Sequence, residues 1–327
     1  MEKIAAIVVT YNKKELLINA VNGILNQELL PDKLVIVDNC SNDGTPECLL
    51  KNLWINELPL KILDKNVISS KCLILKNGKK VEIDYIRKFE NDGGAGGFYQ
   101  GMKYAYELGF DWLWMMDDDG VPEKRCLQEL YKSKEKNIVS GPLVIDIETQ
   151  KTASFIFDEK NRNNLALTDV LKKKDVLENI LNPFNGTFIS KTVIDKIGFV
   201  KREMFIWGDE AEYQSRIIKN GFKVQTITKA IHRHPINKKK PKYNSKLFKF
   251  TIFDIQNPIF MFIFFRNYTY LNKENKYSFS KKVKFYRVVY EIIINAIYNF
   301  LRGDFYRARL CLLSIKKGYL GDFNLPK

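Results

Sequence analysis

The chain has little of what marks a secreted, membrane-spanning or nucleic-acid-binding protein. Its five cysteines, Cys40, Cys48, Cys72, Cys126 and Cys311, are odd in number and form no CxxC pair. That excludes a disulfide framework or a cysteine zinc site and leaves the reduced thiols expected of a cytosolic protein. The apolar run at residues 259–265 is bounded by Pro258 and Arg266, far short of the roughly 20 residues that cross a bilayer. The first apolar run, residues 4–9, is too short for a secretory signal and has no cleavage site after it. The expectation is a cytoplasmic protein, soluble or resting peripherally on the inner face of the cell membrane. No Gly-Lys-Ser/Thr phosphate loop is present, nor a DNA- or RNA-binding fingerprint, so no nucleic acid is expected as partner. Histidine is scarce, with only two residues.

What is present is a large apolar content, 45% of 327 residues, with 22 Phe and 16 Tyr, enough to bury a core. Lys and Arg outnumber Asp and Glu by 53 to 38, a formal charge of +15. With nucleic acid set aside, such a surplus suits phosphorylated small ligands or an anionic membrane surface.

The first 150 residues alternate between strand and helix patterns. Residues 4–9 and 34–37 are continuous apolar runs, as in strands covered on both faces. Between them Leu16, Leu17, Ala20, Val21, Ile24 and Leu25 recur at helical spacing. This order predicts a mostly parallel, Rossmann-like α/β sheet with right-handed crossovers. Asn77-Gly78 between two apolar runs predicts a hairpin. A third buried strand, residues 112–116, ends at Asp117, and residues 123–136 predict a surface helix. Residues 150–182 are polar and lysine-rich. After Lys238, Lys239 and Lys240 the character changes to basic, aromatic and helical, so a catalytic domain is placed at 1–240 and a helical basic region at 241–327.

Four constellations carry chemistry. Asp117, Asp118 and Asp119 are adjacent carboxylates that repel unless a cation offsets them. They end a buried strand, where open α/β sheets bind ligands, and suit Mn²⁺ or Mg²⁺ bridging to a diphosphate. Residues 91–97, with Asn91, Gly93, Gly94, Ala95, Gly96 and Gly97, follow a strand and open a helix, where the backbone can approach a ligand closely. Asp209, Glu210 and Glu212 crowd a helix start after Trp207; they suit the helix dipole, or a general base beside an aromatic platform. Both histidines, His232 and His234, share one segment, and His232, directly after Ala230 and Ile231, is the favoured metal ligand.

The order and spacing of Thr10, Tyr11 and Asn12, of Asp38, of Asp117 to Asp119 and of Trp207 to Glu210 resemble family 2 glycosyltransferases. Residues 91–98 and the later Phe264, Phe265, Arg266, Asn267 and Tyr268 are similar to the bacterial galactofuranosyltransferases. The resemblance implies the GT-A nucleotide-diphospho-sugar transferase fold and a UDP-sugar donor. The acceptor it implies is a glycan or a polyprenyl-diphosphate-linked glycan of the cell surface. It further implies that Thr10, Tyr11, Asn12 and Asp38 hold the nucleotide. Residues 91–97 and Asp118 would line donor sugar and diphosphate, and Asp117, Asp119 and His232 would bind metal. Asp209 would be the catalytic base, with Trp207 and Glu210 facing the acceptor.

The readings kept beside it are a rhamnosyltransferase using dTDP-rhamnose and a non-catalytic nucleotide- or glycan-binding protein. For the basic C-terminal region, peripheral membrane contact stands against a homo-oligomer contact.

Overall fold

The computed structural model describes residues 2–60, 64–75, 78–155, 167–236, 243–245, 250–273 and 279–326. Asn77 of the expected hairpin turn, residues 156–166 of the polar stretch and the expected boundary near residue 240 lie outside these. The chain divides into two compact units, Met1–Arg202 with Tyr213–Asn237, and Glu203–Glu212 with Lys238–Lys327.

The first unit follows the sequence pattern closely at its start. Strand β1 (Ile4–Thr10) leads to helix α1 (Lys14–Leu25), β2 (Lys33–Asp38) and α2 (Thr45–Lys51). A hairpin, β3 (Val67–Ile74) and β4 (Lys80–Arg87), is followed by α3 (Gly93–Glu107) and β5 (Trp112–Asp117). Then come β6 (Val121–Pro122), α4 (Cys126–Lys132), β7 (Ile138–Asp146), α5 (Thr168–Leu171), β8 (Val176–Glu178), β9 (Asn185–Ser190) and α6 (Lys191–Ile197). Helix α7 (Asp209–Lys219) and the long strand β10 (Lys223–His234) close the sequence of this unit, the first four residues of α7 being grouped with the second.

The sheet order is β3-β4-β2-β1-β5-β9-β7-β10-β6, with β8 paired to β10. Strands β4, β2, β1 and β5 are parallel, as the alternating pattern predicts. Beyond β5 the sheet is mixed. Strand β9 runs antiparallel to both β5 and β7, and β10 returns parallel to β7. The core is built by period: Trp112, Trp114 and Met116 share a cluster with Leu17, Ala20, Val21 and Ile24 of α1 and Ile4, Ala6 and Val8 of β1. Each fully buried aliphatic side chain here stabilises by about 1.5–3 kcal/mol.

The glycine-rich residues, expected to open a helix, form the first turns of α3 from Gly93. Packing explains the composition. A Cβ at Gly101 would stand 2.5 Å from Ile7 Cγ2, and one at Gly97 would collide with Val9 and lie 2.9 Å from Asn39 Nδ2. Only a side-chain-free face lets α3 lie this close to β1 and β2. Gly94, in contrast, has open space around it.

The second unit holds β11 (Tyr243–Ser245) and β12 (Phe250–Ile252), which form an antiparallel pair, and the helices α8 (Pro258–Lys273), α9 (Phe279–Leu301) and α10 (Phe305–Leu320). Met261, Phe262 and Phe265 of α8, Val288, Ile292 and Ala296 of α9, and Leu310 and Cys311 of α10 form its own core.

The two kinds of glycine give a stability prediction. Gly101→Leu should cost about 1–3 kcal/mol or more by overpacking against Ile7. Gly94→Ala should be neutral or stabilise by up to about 1 kcal/mol through helix propensity. Urea unfolding midpoints check both. Equal midpoints for the two variants would contradict the packing explanation.

Candidate functional site

Strand register assembles the first part of the site. Pairing of β1 with β2 sets Thr10 beside Asp38, and pairing of β1 with β5 sets Val9 beside Asp117. The carboxyl ends of three parallel strands are therefore level, the place where open α/β sheets present ligand-binding residues.

The acidic tip beyond β5 is held by its neighbours. The Thr10 hydroxyl donates to Asp118 Oδ2 at 2.7 Å. The Lys13 ammonium lies 3.2 Å from Asp118 Oδ1 and 3.0 Å from Asp119 Oδ2. Burial pushes the Asp118 carboxyl above its ordinary range, against the pull of Lys13 and Thr10. Burial acts the same way on Asp119, but His234 and Lys13 outweigh it and hold that carboxyl well below the usual range. For Lys13, burial is outweighed by Asp118 and Asp119, so its ammonium is raised above its ordinary value and stays charged.

A short strand then joins this tip to the histidines. Residues Val121 and Pro122 of β6 pair antiparallel with Arg233 and His232 of β10, and Arg233 Nη2 bonds Glu123 Oε1 at 2.7 Å. This pairing brings the turn after β5 against the end of β10. His232 and His234, two residues apart on a strand, share a face. His234 Nε2 lies 3.0 Å from Asp119 Oδ1. Its Nδ1 is 2.7 Å from the Pro235 carbonyl oxygen. The carbonyl and the carboxylate both only accept, so the ring bonds either one by donating. His232 is fully buried, and neither ring nitrogen has a hydrogen-bond partner among the described residues. Any side chain at Gly120 would run into its Nε2. The expectation favoured His232 as the metal ligand; the ring against Asp119 is that of His234.

These residues fit a divalent cation by type. Carboxylate oxygens of Asp117 and Asp119 and imidazole nitrogens suit Mn²⁺ or Mg²⁺, and the buried, unpartnered Nε2 of His232 faces Gly120 of the same turn. Among the described residues no three such side chains already stand close enough to enclose an ion. Lys13 provides the positive charge between Asp118 and Asp119 instead.

Asp38 organises the neighbouring loop. It accepts from Tyr85 Oη at 2.7 Å, Arg87 Nη1 at 2.6 Å and the Ser41 amide at 2.8 Å. Asn12, with φ of 53°, bonds across to the same loop: its Oδ1 accepts from the Asn42 amide at 2.7 Å, and its own amide donates to Ser41 Oγ at 2.9 Å. Tyr11 is 43% exposed beside them. At the start of α3, Asn91 Oδ1 accepts from the Gly93 amide, and Asn39 Nδ2 donates to the Gly93 carbonyl. Asp92 there is paired to Lys88, and Arg202 lies 3.5 Å away. Ala95, Gly96 and Gly97 are buried in the helix.

In the second unit, Trp207 and Asp209 belong to a strained loop. Phe205, Trp207 and Gly208 have φ of 69°, 62° and 99°, and the two aromatics sit in a region that favours glycine. Asn267 of α8 holds them: its Nδ2 lies 2.9, 3.0 and 2.9 Å from the carbonyl oxygens of Met204, Ile206 and Trp207. Buried Arg266 donates to the Met204 and Phe323 carbonyls. The Trp207 ring meets Phe260 and Phe264 edge-on. Glu210 folds back to accept from the Gly208 amide at 3.1 Å. Asp209 begins α7 and is 4% exposed.

Six residues were not found from the sequence as site residues: Lys13, Arg87, Lys88, Arg202, His234 and Asn267. A lysine directly after Asn12 and a second histidine on the same strand face were available signals. Lys88 pairs with Asp92 only four residues on, whereas the arginines and Asn267 act across long separations that no local pattern reports.

The family described as Glycosyl transferase family 2 matches residues 5–63 and 73–186, more than half of the chain. The galactofuranosyltransferase GlfT1 of Mycolicibacterium smegmatis (strain ATCC 700084 / mc(2)155) is 28% identical over 72% of this chain and 71% of its own length. Among solved structures, GalNAc-T7 with UDP, GalNAc and Mn²⁺ superimposes with a TM-score of 0.55 at 16% identity, covering 88% of this chain. The chain spans only 50% of that protein. The mannosyltransferase PcManGT from Pyrobaculum calidifontis, in complex with GDP-Man and Mn²⁺, gives 0.52 at 12% identity, covering 98% of this chain and 87% of its own. These two likenesses establish the fold, GT-A, and nothing finer.

The buried imidazole makes stability depend on pH. Burial, with His234 adding to it, pushes His232 from 6.5 down to about 3. Between those values the unfolded chain binds a proton that the folded chain does not, so stability falls as pH drops through that window. The melting temperature should fall between pH 7 and pH 5, and His232→Asn should fall less over the same interval, whatever its starting value. Differential scanning calorimetry checks this; equal slopes for the two proteins would contradict it.

Proposed function

The chain belongs to glycosyl transferase family 2, and from that premise we propose that it is an inverting, metal-dependent galactofuranosyltransferase. It takes UDP-galactofuranose as donor and a hydroxyl of a glycan or lipid-linked glycan as acceptor, in the synthesis of a surface polysaccharide. The observation that carries the reading is the acidic tip after β5, level with Thr10 and Asp38 and facing the histidines of β10. The similarity to a galactofuranosyltransferase over 72% of the chain supports the choice of sugar.

In this reading Thr10, Tyr11, Asn12 and Asp38 take the nucleotide, and Asp118 with the start of α3, from Asn91 to Gly97, takes the diphosphate and donor sugar. A divalent cation held by Asp117, Asp119 and the β10 imidazoles would supply charge to stabilise the departing diphosphate. Lys13, fixed between Asp118 and Asp119, keeps the carboxylates gathered. Asp209 accepts the acceptor's hydroxyl proton as the new carbon–oxygen bond forms and the bond from the anomeric carbon to UDP breaks. Its carboxylate at the first position of α7 suits the positive end of the helix. Trp207 offers a ring for a sugar face, and Glu210 lies beside it.

A donor panel tests this. UDP-galactofuranose, UDP-galactopyranose, UDP-glucose and dTDP-rhamnose are each followed for nucleoside diphosphate release, with and without Mn²⁺. UDP-galactofuranose should turn over, and Asp209→Asn should lower kcat by about 10²–10⁴-fold while leaving UDP affinity nearly intact. Turnover of dTDP-rhamnose alone would make the chain a rhamnosyltransferase. Donor binding without turnover of any donor would make it a binding protein.

A further inference from the structure

Helix α9 has two apolar faces, and among the described residues one of them is buried in the core. Val288, Ile292 and Ala296 are buried against α8 and α10. On another side Tyr286, Tyr290, Ile293, Ile297 and Phe300 recur at i, i+4, i+7, i+11 and i+14, a helical stripe of large side chains left exposed. Ile293, the most sheltered of them, is 39% exposed, and the adjoining Leu301 is 78% exposed.

Helix α10 carries a second outward stripe with a different composition. Phe305, Arg309, Leu312, Lys316 and Tyr319 follow one another at spacings of four, three, four and three, all exposed. Apolar and basic side chains therefore alternate along one helix face. The two stripes meet. Phe300 and Phe305 touch across the α9–α10 turn, with ring centroids 5.2 Å apart. At the other end Tyr319 contacts Phe285 at 6.2 Å, and Phe285 contacts Tyr286 at 5.7 Å. The pair thus presents one continuous apolar face studded with cations. Large exposed apolar faces of this kind mark interaction surfaces.

We propose that this α9–α10 face is a docking surface for an anionic phospholipid membrane. Charge selects the occupant. Between residues 279 and 320 there are nine Lys and Arg and two acidic residues. A second copy pairing face to face would set Arg309 and Lys316 against like charge in a self-complementary contact. A lipid surface offers the complement: acyl chains for Ile293, Ile297, Phe305 and Leu312, headgroup phosphates for Arg309 and Lys316, and the interface for the tyrosines. No helix among the described residues is long and apolar enough to cross a membrane, so the helices lie on the surface. Each cation near an anionic leaflet adds about 1 kcal/mol to binding, and salt screens it.

Co-sedimentation of the full chain with vesicles of about 30% phosphatidylglycerol in phosphatidylcholine tests the assignment. The protein should pellet with these vesicles, fail to pellet with pure phosphatidylcholine, and be released as salt is raised. Arg309→Glu/Lys316→Glu and Ile293→Asp/Ile297→Asp should each weaken binding by about tenfold or more. Circular dichroism and UDP affinity, which involve neither stripe, report whether the variants fold. Folded variants that bind vesicles as wild type does would overturn the assignment, as would a wild type that ignores anionic vesicles. So would light scattering that finds a dimer dissociated by Ile293→Asp/Ile297→Asp, which would give the face to a second copy.

Discussion

Three consecutive carboxylates at the end of β5 set the terms for the first unit. Two unit charges about 4 Å apart repel by about 4 kcal/mol at an effective dielectric near 20. Gathering Asp117, Asp118 and Asp119 therefore requires nearby partners of opposite sign or donating character. The fold provides them from elements distant in sequence: the Thr10 hydroxyl, the Lys13 ammonium and the His234 imidazole. Thr10 and His234 arrive through backbone pairing, β1 beside β5 and β6 beside β10, and Lys13 follows β1 in the chain. Lys13 thus stands between Asp118 and Asp119 and gathers them before any ligand is bound.

The same economy of space appears in α3. Its glycines allow the helix to rest on Val9, Asn39 and Ile7, which leaves the helix start level with the strand ends. In the second unit the comparable constraint is Asn267. One side-chain amide reaches three carbonyls of a loop that contains two non-glycine residues in the left-handed region. Strain of this kind persists only where the surroundings determine it, and here it fixes the backbone directly before Asp209.

Much of the architecture was legible because buried parallel strands leave an unmistakable record. Residues 4–9, 34–37 and 112–116 are apolar without interruption, and each is a strand. The helical periods at α1, α9 and α10 were equally plain. What the pattern did not report is β9, which inserts antiparallel between β5 and β7. Pairing partners are not written in the composition of a strand. The glycine-rich segment was read as opening a helix that a ligand can approach closely; Gly97 and Gly101 also let that helix lie against β1. The acidic tip was found, whereas its counter-charge Lys13 and the position of His234 were not, since both depend on strand register. Arg266 and Asn267 were noticed through resemblance, and their part in the fold, holding the Trp207 loop, depends on contacts distant in sequence.

Membership of the glycosyltransferase family supports the proposal that the acidic tip receives a cation together with a nucleoside diphosphate. The most direct measurement is calorimetry of UDP binding with and without Mn²⁺, for the wild type and Asp119→Asn. The wild type should bind UDP at least about tenfold more tightly with Mn²⁺, a difference of about 1.4 kcal/mol. Asp119→Asn should lose most of that gain. Equal UDP affinity with and without the ion in the wild type would contradict the assignment of the acidic tip as the site of metal and diphosphate.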